Sequence, residues 1–192
     1  MTEKKNKHIL RIPKNVSLIF CKKQKVLTAI GPLKSKSLKL KLKIIIHSQL
    51  KKVIVSPIPL FKTSNAEKKK IKMLQKTTVV QIQYLFIESS VAVHQKLKIV
   101  GVGFRVDFAP TTPKEKILTF KLGFSHLTFV KIPDDLSVKG LTKTAFCICG
   151  NSYSEIMKFS SLLRFQKKPE PYKGKGILLS NEIIKLKEGK KI

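Results

Sequence analysis

The chain has 192 residues, enough for one large domain or two small ones each with its own core, and 42% of them are hydrophobic. Forty lysines and arginines stand against eleven acids, a formal net charge of +29, which exceeds what solubility needs and predicts a polyanionic partner: nucleic acid first, an anionic membrane surface second. No run of about eighteen apolar residues occurs, which excludes a spanning helix, and three cysteines without framework spacing, Cys21, Cys147 and Cys149, point to a reducing compartment or at least to free thiols.

Met1 to Lys7 is polar and lysine-rich, and the first strand signal follows so closely that no room is expected for a cleavable signal or an arginine-rich presequence. From Ile9 to Phe20 apolar residues flank a turn at Pro13, Lys14 and Asn15, and Val16, Leu18 and Phe20 alternate as in a half-buried strand. Lys22 to Lys25 is a hairpin turn, Val26 to Ile30 a second strand, and Gly31 and Pro32 stop it. Leu38, Leu40 and Leu42 alternate with Lys39, Lys41 and Lys43, which predicts one strand with an apolar face and a lysine face. That lysine face either guards a solvated edge or lies on phosphate. Ile44 to Ile46 and Val53 to Val55 extend the sheet, with Pro57 and Pro59 expected to end it. Ser64 to Glu67 has capping-box spacing, and Met73, Leu74, Val80, Tyr84 and Ile87 follow at helical spacing to about Ser90.

The pattern then repeats. Leu97 to Phe108 is strand-like, with Gly101 and Gly103 marking a bulge or close backbone packing. A turn over Pro110 to Pro113 leads to strands over Ile117 to Leu122, through Phe129 to Ile132, over Leu136 to Leu141 and over Ala145 to Cys149, with a turn at Pro133 to Asp135. Ser152 to Glu155 is a second capping box, opening a helix with Ile156, Phe159 and Leu163 on one face that ends near Arg164. Strands then helix, twice, predicts an α+β protein duplicated in tandem, residues 1–92 and 93–168, with a basic C-terminal arm over 169–192.

Catalytic and metal chemistry find little support. Gly101, Val102 and Gly103 begin like a dinucleotide fingerprint, but Val106 stands at the third glycine position and no helix follows. A zinc site needs about four ligands, and His8, His47, His94 and His126 offer no paired spacing, so Cys147 and Cys149 read as small core residues and no metal or cofactor is expected. The acids are dispersed, and no nucleophile has a base beside it, so the chain does not read as an enzyme. Arg105 and Arg164 stand out among lysines because the planar guanidinium suits bidentate phosphate contact; the alternative for each is an ordinary salt bridge.

The most informative stretch is Pro169 to Ile177, PEPYKGKGI. Two prolines forbid continuation of the preceding helix, so the chain is expected to leave the fold as an extended arm. Tyr172 is its one aromatic, and Lys173 and Lys175 alternate with Gly174 and Gly176, placing cationic heads beside backbone that lacks Cβ. A solvated basic tail is the plain alternative, against which the ordered neighbours Pro169, Pro171, Tyr172 and Ile177 argue.

This nine-residue segment, followed by Asn181, Glu182 and the run Leu186 to Lys190, resembles the C-terminal signature of the L-six family of large-subunit ribosomal proteins at every position. Val100 to Arg105 and Leu122 to His126 resemble two further segments of that family, in the same order and spacing. The N-terminal half resembles it loosely, through Arg11, Ile12, Pro13, the stretch Val26 to Lys34, and Thr77 and Thr78, and Lys34 to Ser64 has no clear counterpart. The resemblance implies a structural ribosomal protein with two tandem related α+β domains, each a mostly antiparallel sheet packed against one helix, that binds large-subunit rRNA at the stalk base, near the sarcin-ricin loop. Its partners would be that rRNA, neighbouring ribosomal proteins and, transiently, translation factors, with no membrane and no homo-oligomer. The residues expected to contact rRNA are Arg105, Ser125, His126, Arg164, Lys167, Lys168, Tyr172, Lys173, Gly174, Lys175 and Gly176. Lysines would neutralise phosphates and shape would supply most of the specificity.

Only three of the forty basic residues are arginine, and Ile and Phe are plentiful, the usage of an AT-rich gene. With Leu127 where bacterial members usually have proline, this favours a mitochondrially encoded member; a bacterial cytoplasm or a plastid is the alternative. The rival reading from another class is a free-standing basic nucleic-acid chaperone or membrane-surface binder.

Overall fold

The computed structural model describes residues 8–59, 68–108, 110–112 and 115–189. Met1 to Lys7, the capping box Ser64 to Glu67 and Lys190 lie outside the described residues. The chain divides into two compact units, Met1–Val91 and Ala92–Ile192. The fold is α+β, as the strand and helix signals predict, with two sheets in each unit rather than one.

In the first unit, β1 (Ile9–Arg11), β6 (Lys52–Pro59) and β5 (Leu42–His47) form one antiparallel sheet, and β2 (Ser17–Cys21), β3 (Val26–Ile30) and β4 (Ser35–Lys39) form the other. The single strand expected across Leu38 to Lys43 is therefore two, for β4 ends at Lys39 and β5 starts at Leu42 in the other sheet. The leucine alternation still holds its meaning, because Leu40 and Leu42 are both fully buried at the point where the chain changes sheet. Lys39, Lys41 and Lys43 are exposed. Of the two prolines expected to end β6, Pro59 is its last residue, whereas Pro57 lies within it, beyond its pairing with β1 and where the register to β5 shifts between Leu42 and Ile44, so the missing N–H groups cost little.

Helix α1 (Lys68–Ser90) forms despite Val79, Val80 and Ile82. Burial rather than propensity decides this segment: Val79, Ile82, Leu85 and Phe86 join Leu27, Leu40, Leu42, Val53 and Val55 in one core. The expected apolar stripe is rotated, since Met73, Val80 and Ile87 are exposed. The buried stripe includes polar side chains that periodicity in apolar residues cannot reveal. Gln75 Nε2 donates to Val55 O (2.6 Å), the Thr78 hydroxyl to Leu74 O, and buried Glu88 pairs with Lys36.

In the second unit, β7 (Val93–Val100), β12 (Leu136–Thr142), β13 (Ala145–Gly150) and β14 (Gly176–Leu179) form a four-stranded antiparallel sheet in the order β12-β13-β7-β14. A second sheet holds β8 (Arg105–Asp107), β10 (Glu115–Lys121) and β11 (Thr128–Lys131), with β9 (Pro110–Thr112) also paired to β10. The turn expected over Pro110 to Pro113 is thus strand through Thr112. Helix α2 (Tyr153–Gln166) buries Ile156, Phe159 and Leu163 against Leu97, Phe120, Phe146, Ile148 and Ile177 in one core. Ser152 is the N-cap residue, yet no capping box forms. Its hydroxyl lies 2.8 Å from that of Ser154 and makes no side-chain cap bond.

Two further expectations change. The segment after Pro169 does not leave the fold. Gly176 to Leu179 returns as β14, pairing with Val100 to Leu97 of β7 and sealing Ile177 completely. The short apolar run Ile177, Leu178, Leu179 carried that signal, masked by the prolines and lysines ahead of it. Of Cys147 and Cys149, both read as core residues, Cys147 is buried and Cys149 half-buried; they alternate with Phe146 and Ile148, so both lie on the sheet face turned away from α2 and outside the core cluster.

Candidate nucleic-acid interface

The motifs of the second unit converge through one side chain, Phe104. It follows the turn Gly101 to Gly103, in which φ is +151° at Gly101 and +73° at Gly103. A Cβ added at Gly101 would stand 2.6 Å from the Phe104 ring, and one added at Gly123 would stand 2.8 Å from it. Gly123 also has φ of +74°. The two glycines, 22 positions apart in sequence, hold the ring between them because neither carries a side chain. Val102 is left almost fully exposed at the tip of its turn.

From Gly123 the next turn presents Phe124, Ser125, His126 and Leu127, all exposed. The His126 ring stacks on Phe124 with centroids 5.8 Å apart and planes 13° from parallel. Lys167, one residue past α2, brings its Nζ to 4.2 Å from the centroid of the same Phe124 ring, a cation–π contact. Lys168 lies 4.5 Å over Phe165. His126 and Lys167, drawn from two sequence-distant segments, therefore meet at one ring, with Ser125 and Lys168 as their immediate chain neighbours. Phe124, the residue that joins them, was missed; its signal was an aromatic directly after a turn glycine.

The lysine loop hangs from the same point. Ile177 N–H donates to Lys167 O (2.9 Å), Gly174 N–H to Glu170 O (2.8 Å) and Glu170 N–H to Lys175 O (3.0 Å). These bonds close residues 170–175 into a tight loop, with Gly174 at φ of +68°. Lys187 N–H donates to Pro171 O (2.9 Å), so the tail crosses back over the loop. Tyr172 and Lys173 are exposed, and Gly174 and Lys175 half-buried.

Two expected contact residues have other work. Arg164 turns its fork to Glu182: Nε donates to Oε2 at 2.9 Å and Nη2 to Oε1. Glu182 also accepts from Leu179 N–H (3.4 Å), and the Arg164 bond holds its carboxyl below the usual range. The pair ties the chain after β14 to α2, which uses the guanidinium geometry on a carboxylate rather than a phosphate. Gly176 is buried at φ of +153°, and a Cβ there would meet Pro169 at 2.7 Å; it serves packing, not approach to a ligand. Arg105 lies exposed, its Nε 3.1 Å from Asp107 Oδ2, and is not brought to the Phe124 stack by any contact.

Among the described residues, no group of three or more His, Cys, Asp or Glu could hold a metal ion, and no helix is long and apolar enough to cross a membrane. Burial, reinforced by Cys149, raises the Cys147 thiol above its ordinary pKa, which keeps it protonated.

These features define a strongly basic α+β protein of two sheet-and-helix units, with its distinguishing motifs gathered on the second. No protein-family model matches the chain. It is similar to the large ribosomal subunit protein uL6 of Mycoplasmoides gallisepticum, 34% identical over 182 residues that span 95% of this chain and 93% of that protein. The uL6 protein of Mycoplasma genitalium is 33% identical over 189 residues, 96% of this chain and 94% of that one. Large ribosomal subunit protein uL6c of Arabidopsis thaliana is 45% identical over 96 residues, half of this chain and 41% of that protein. The chain belongs to the uL6 family of large ribosomal subunit proteins.

Proposed function

We propose that this protein is a structural constituent of the large ribosomal subunit, not an enzyme, and that it binds large-subunit rRNA through the second unit. The observation that carries the reading is the assembly around Phe124, where His126 stacks, Lys167 sits over the ring, and the loop bearing Tyr172, Lys173, Gly174 and Lys175 hangs from Lys167 O. Flat exposed rings beside cations suit RNA, with stacking on bases or riboses and neutralisation of phosphates. Ser125 and Lys168 belong to this surface, and Arg105 is a separate contact. Arg164 and Gly176 support it from behind.

The family resemblance in these motifs favours a position at the stalk base near the sarcin-ricin loop, with neighbouring ribosomal proteins as lasting partners, translation factors as transient ones, and one copy per subunit. For the compartment we favour a mitochondrial ribosome, on the lysine-rich, arginine-poor composition and Leu127. The relatives named above come from bacteria and a chloroplast, and an AT-rich bacterium or a plastid is the competing assignment.

Sedimentation of native lysate and of isolated mitochondria at high salt tests the whole reading. Stoichiometric migration with the large subunit is expected, in the mitochondrial fraction; migration with a bacterial or plastid subunit would correct the compartment alone. Release to the top of the gradient would favour the free chaperone. Replacing Lys173 and Lys175 with Ala should lower the slope of log K against log salt by about 1 per lost phosphate contact. An unchanged slope rejects the loop as a phosphate site.

A further inference from the structure

The outer face of the four-stranded sheet forms a second cationic surface that none of the sequence motifs marks. On β13, Ala145, Cys147 and Cys149 point away from α2, opposite in sense to fully buried Phe146 and Ile148. The register puts Cys147 between Lys96 of β7 and Lys139 of β12, Ala145 beside Lys98, and Cys149 between His94 and Ser137. The central strand therefore supplies a floor of small side chains. Lysines stand on both flanks, all three exposed. Neighbouring strands lie about 4.8 Å apart, so the two lysine rows are about 10 Å apart, and Lys96 and Lys98 are about 6.6 Å apart along β7.

Cys147, paired in register with Lys96 on one side and Lys139 on the other, feels both charges: each draws its thiol downward, against the larger effect of its burial. Cys147 is only 8% exposed although it faces outward, which fits coverage by lysine stems. Among the described residues, no ion pair engages Lys96, Lys98 or Lys139. Asp134 and Asp135 share a hollow with Cys149 and make that end of the trough unfavourable to an anion. The opposite end runs toward Lys98, whose partner on the neighbouring strand is Leu178 of β14, the strand that the lysine loop leads into.

We propose that this trough, floored by Ala145 and Cys147 and walled by Lys96, Lys98 and Lys139, seats one RNA strand by its phosphodiester backbone. The inference rests on the reading of the chain as an rRNA-binding protein and adds a face to it. A width of two strand spacings suits one backbone rather than a duplex, and the floor carries no acid to repel it. Cationic heads on flexible stems neutralise phosphate without demanding a base sequence.

The test uses the full chain and large-subunit rRNA stripped of protein. Glutamine keeps the first two methylenes of each stem and removes only the charge, so the variant Lys96→Gln/Lys98→Gln/Lys139→Gln should melt close to the parent when free. Its salt slope should fall in magnitude by about 2 to 3, at 0.7–0.9 per phosphate contact. The Lys173→Ala/Lys175→Ala variant is measured separately. A trough variant with the parental slope, while the loop variant loses slope, overturns the trough and leaves the loop intact; absence of rRNA binding by the parent overturns both. A second readout does not depend on any variant. Acetylation of Lys96 and Lys98 by an N-hydroxysuccinimide ester should slow several-fold when rRNA is bound, and unchanged labelling overturns the proposal. Protection by phosphatidylglycerol vesicles but not by rRNA would assign the face to an anionic membrane instead.

Discussion

Gly123 shows how one absent methyl group joins two motifs. Its backbone is left-handed and its missing Cβ makes room for the Phe104 ring, so Gly123→Ala meets both strain and overlap. The expected cost to the second unit is about 1–3 kcal/mol. In a Phe104→Leu background the added cost of the same change should be smaller by at least about 0.5 kcal/mol, the coupling expected of residues in contact. Additive losses in urea melts would refute the shared packing. Glu182 contributes acid sensitivity to the same unit. Its carboxyl is held below the usual range chiefly by the Arg164 hydrogen bond, so its contribution is present above the unfolded pKa of about 4.3 and is lost as pH falls through the lowered folded value. Glu182→Gln should flatten the decline in stability below about pH 4.5 that the parent shows. An identical decline in both proteins would place the acid sensitivity elsewhere.

At the scale of elements, β14 matters most. Ile177 is fully buried in the core of its unit, so Ile177→Ala should destabilise that unit by about 2–5 kcal/mol, a loss of packing rather than of any RNA contact. Thermal melts read this directly. The segment also shows what the sequence made legible. The motif PEPYKGKGI marks the right place, and its prolines do end α2 at Gln166. Its four-residue strand stayed hidden because strand formation there depends on an open edge of β7 more than 75 residues earlier, which local pattern does not contain. For the same reason α1 was found and its buried face was not. Gln75 and Glu88 take core positions because Val55 O and Lys36 await them, and a search for apolar periodicity passes over such residues. Most strands with clear alternation, such as β2 and β3, were legible almost to the residue, whereas Gly101 and Gly103, read as a bulge within one strand over Leu97 to Phe108, form a turn that separates β7 from β8. The convergence of the Phe124 turn and the lysine loop on Lys167 was not legible either, since it is a property of the tertiary fold alone.

For the whole molecule, charge and division into units dominate. Each unit has its own core cluster, so a fragment over residues 92–192 should fold and melt cooperatively on its own. A broad, non-cooperative melt would refute that independence. A net charge of +29 makes the folded chain repel itself, so added salt, or a short polyphosphate, should raise the melting temperature until the field is screened. Insensitivity to both would mean the lysines are already balanced within the fold. The place of β14 at the edge of its sheet has one more consequence. Until residues 176–179 are in place, β7 offers an unpaired edge with Leu97 and Ile99 beside it, a template on which another chain can pair. Removing the segment after Lys175 would therefore convert the protein into an aggregating species, and its loss from cells would register first as insolubility, before any failure to assemble could be observed.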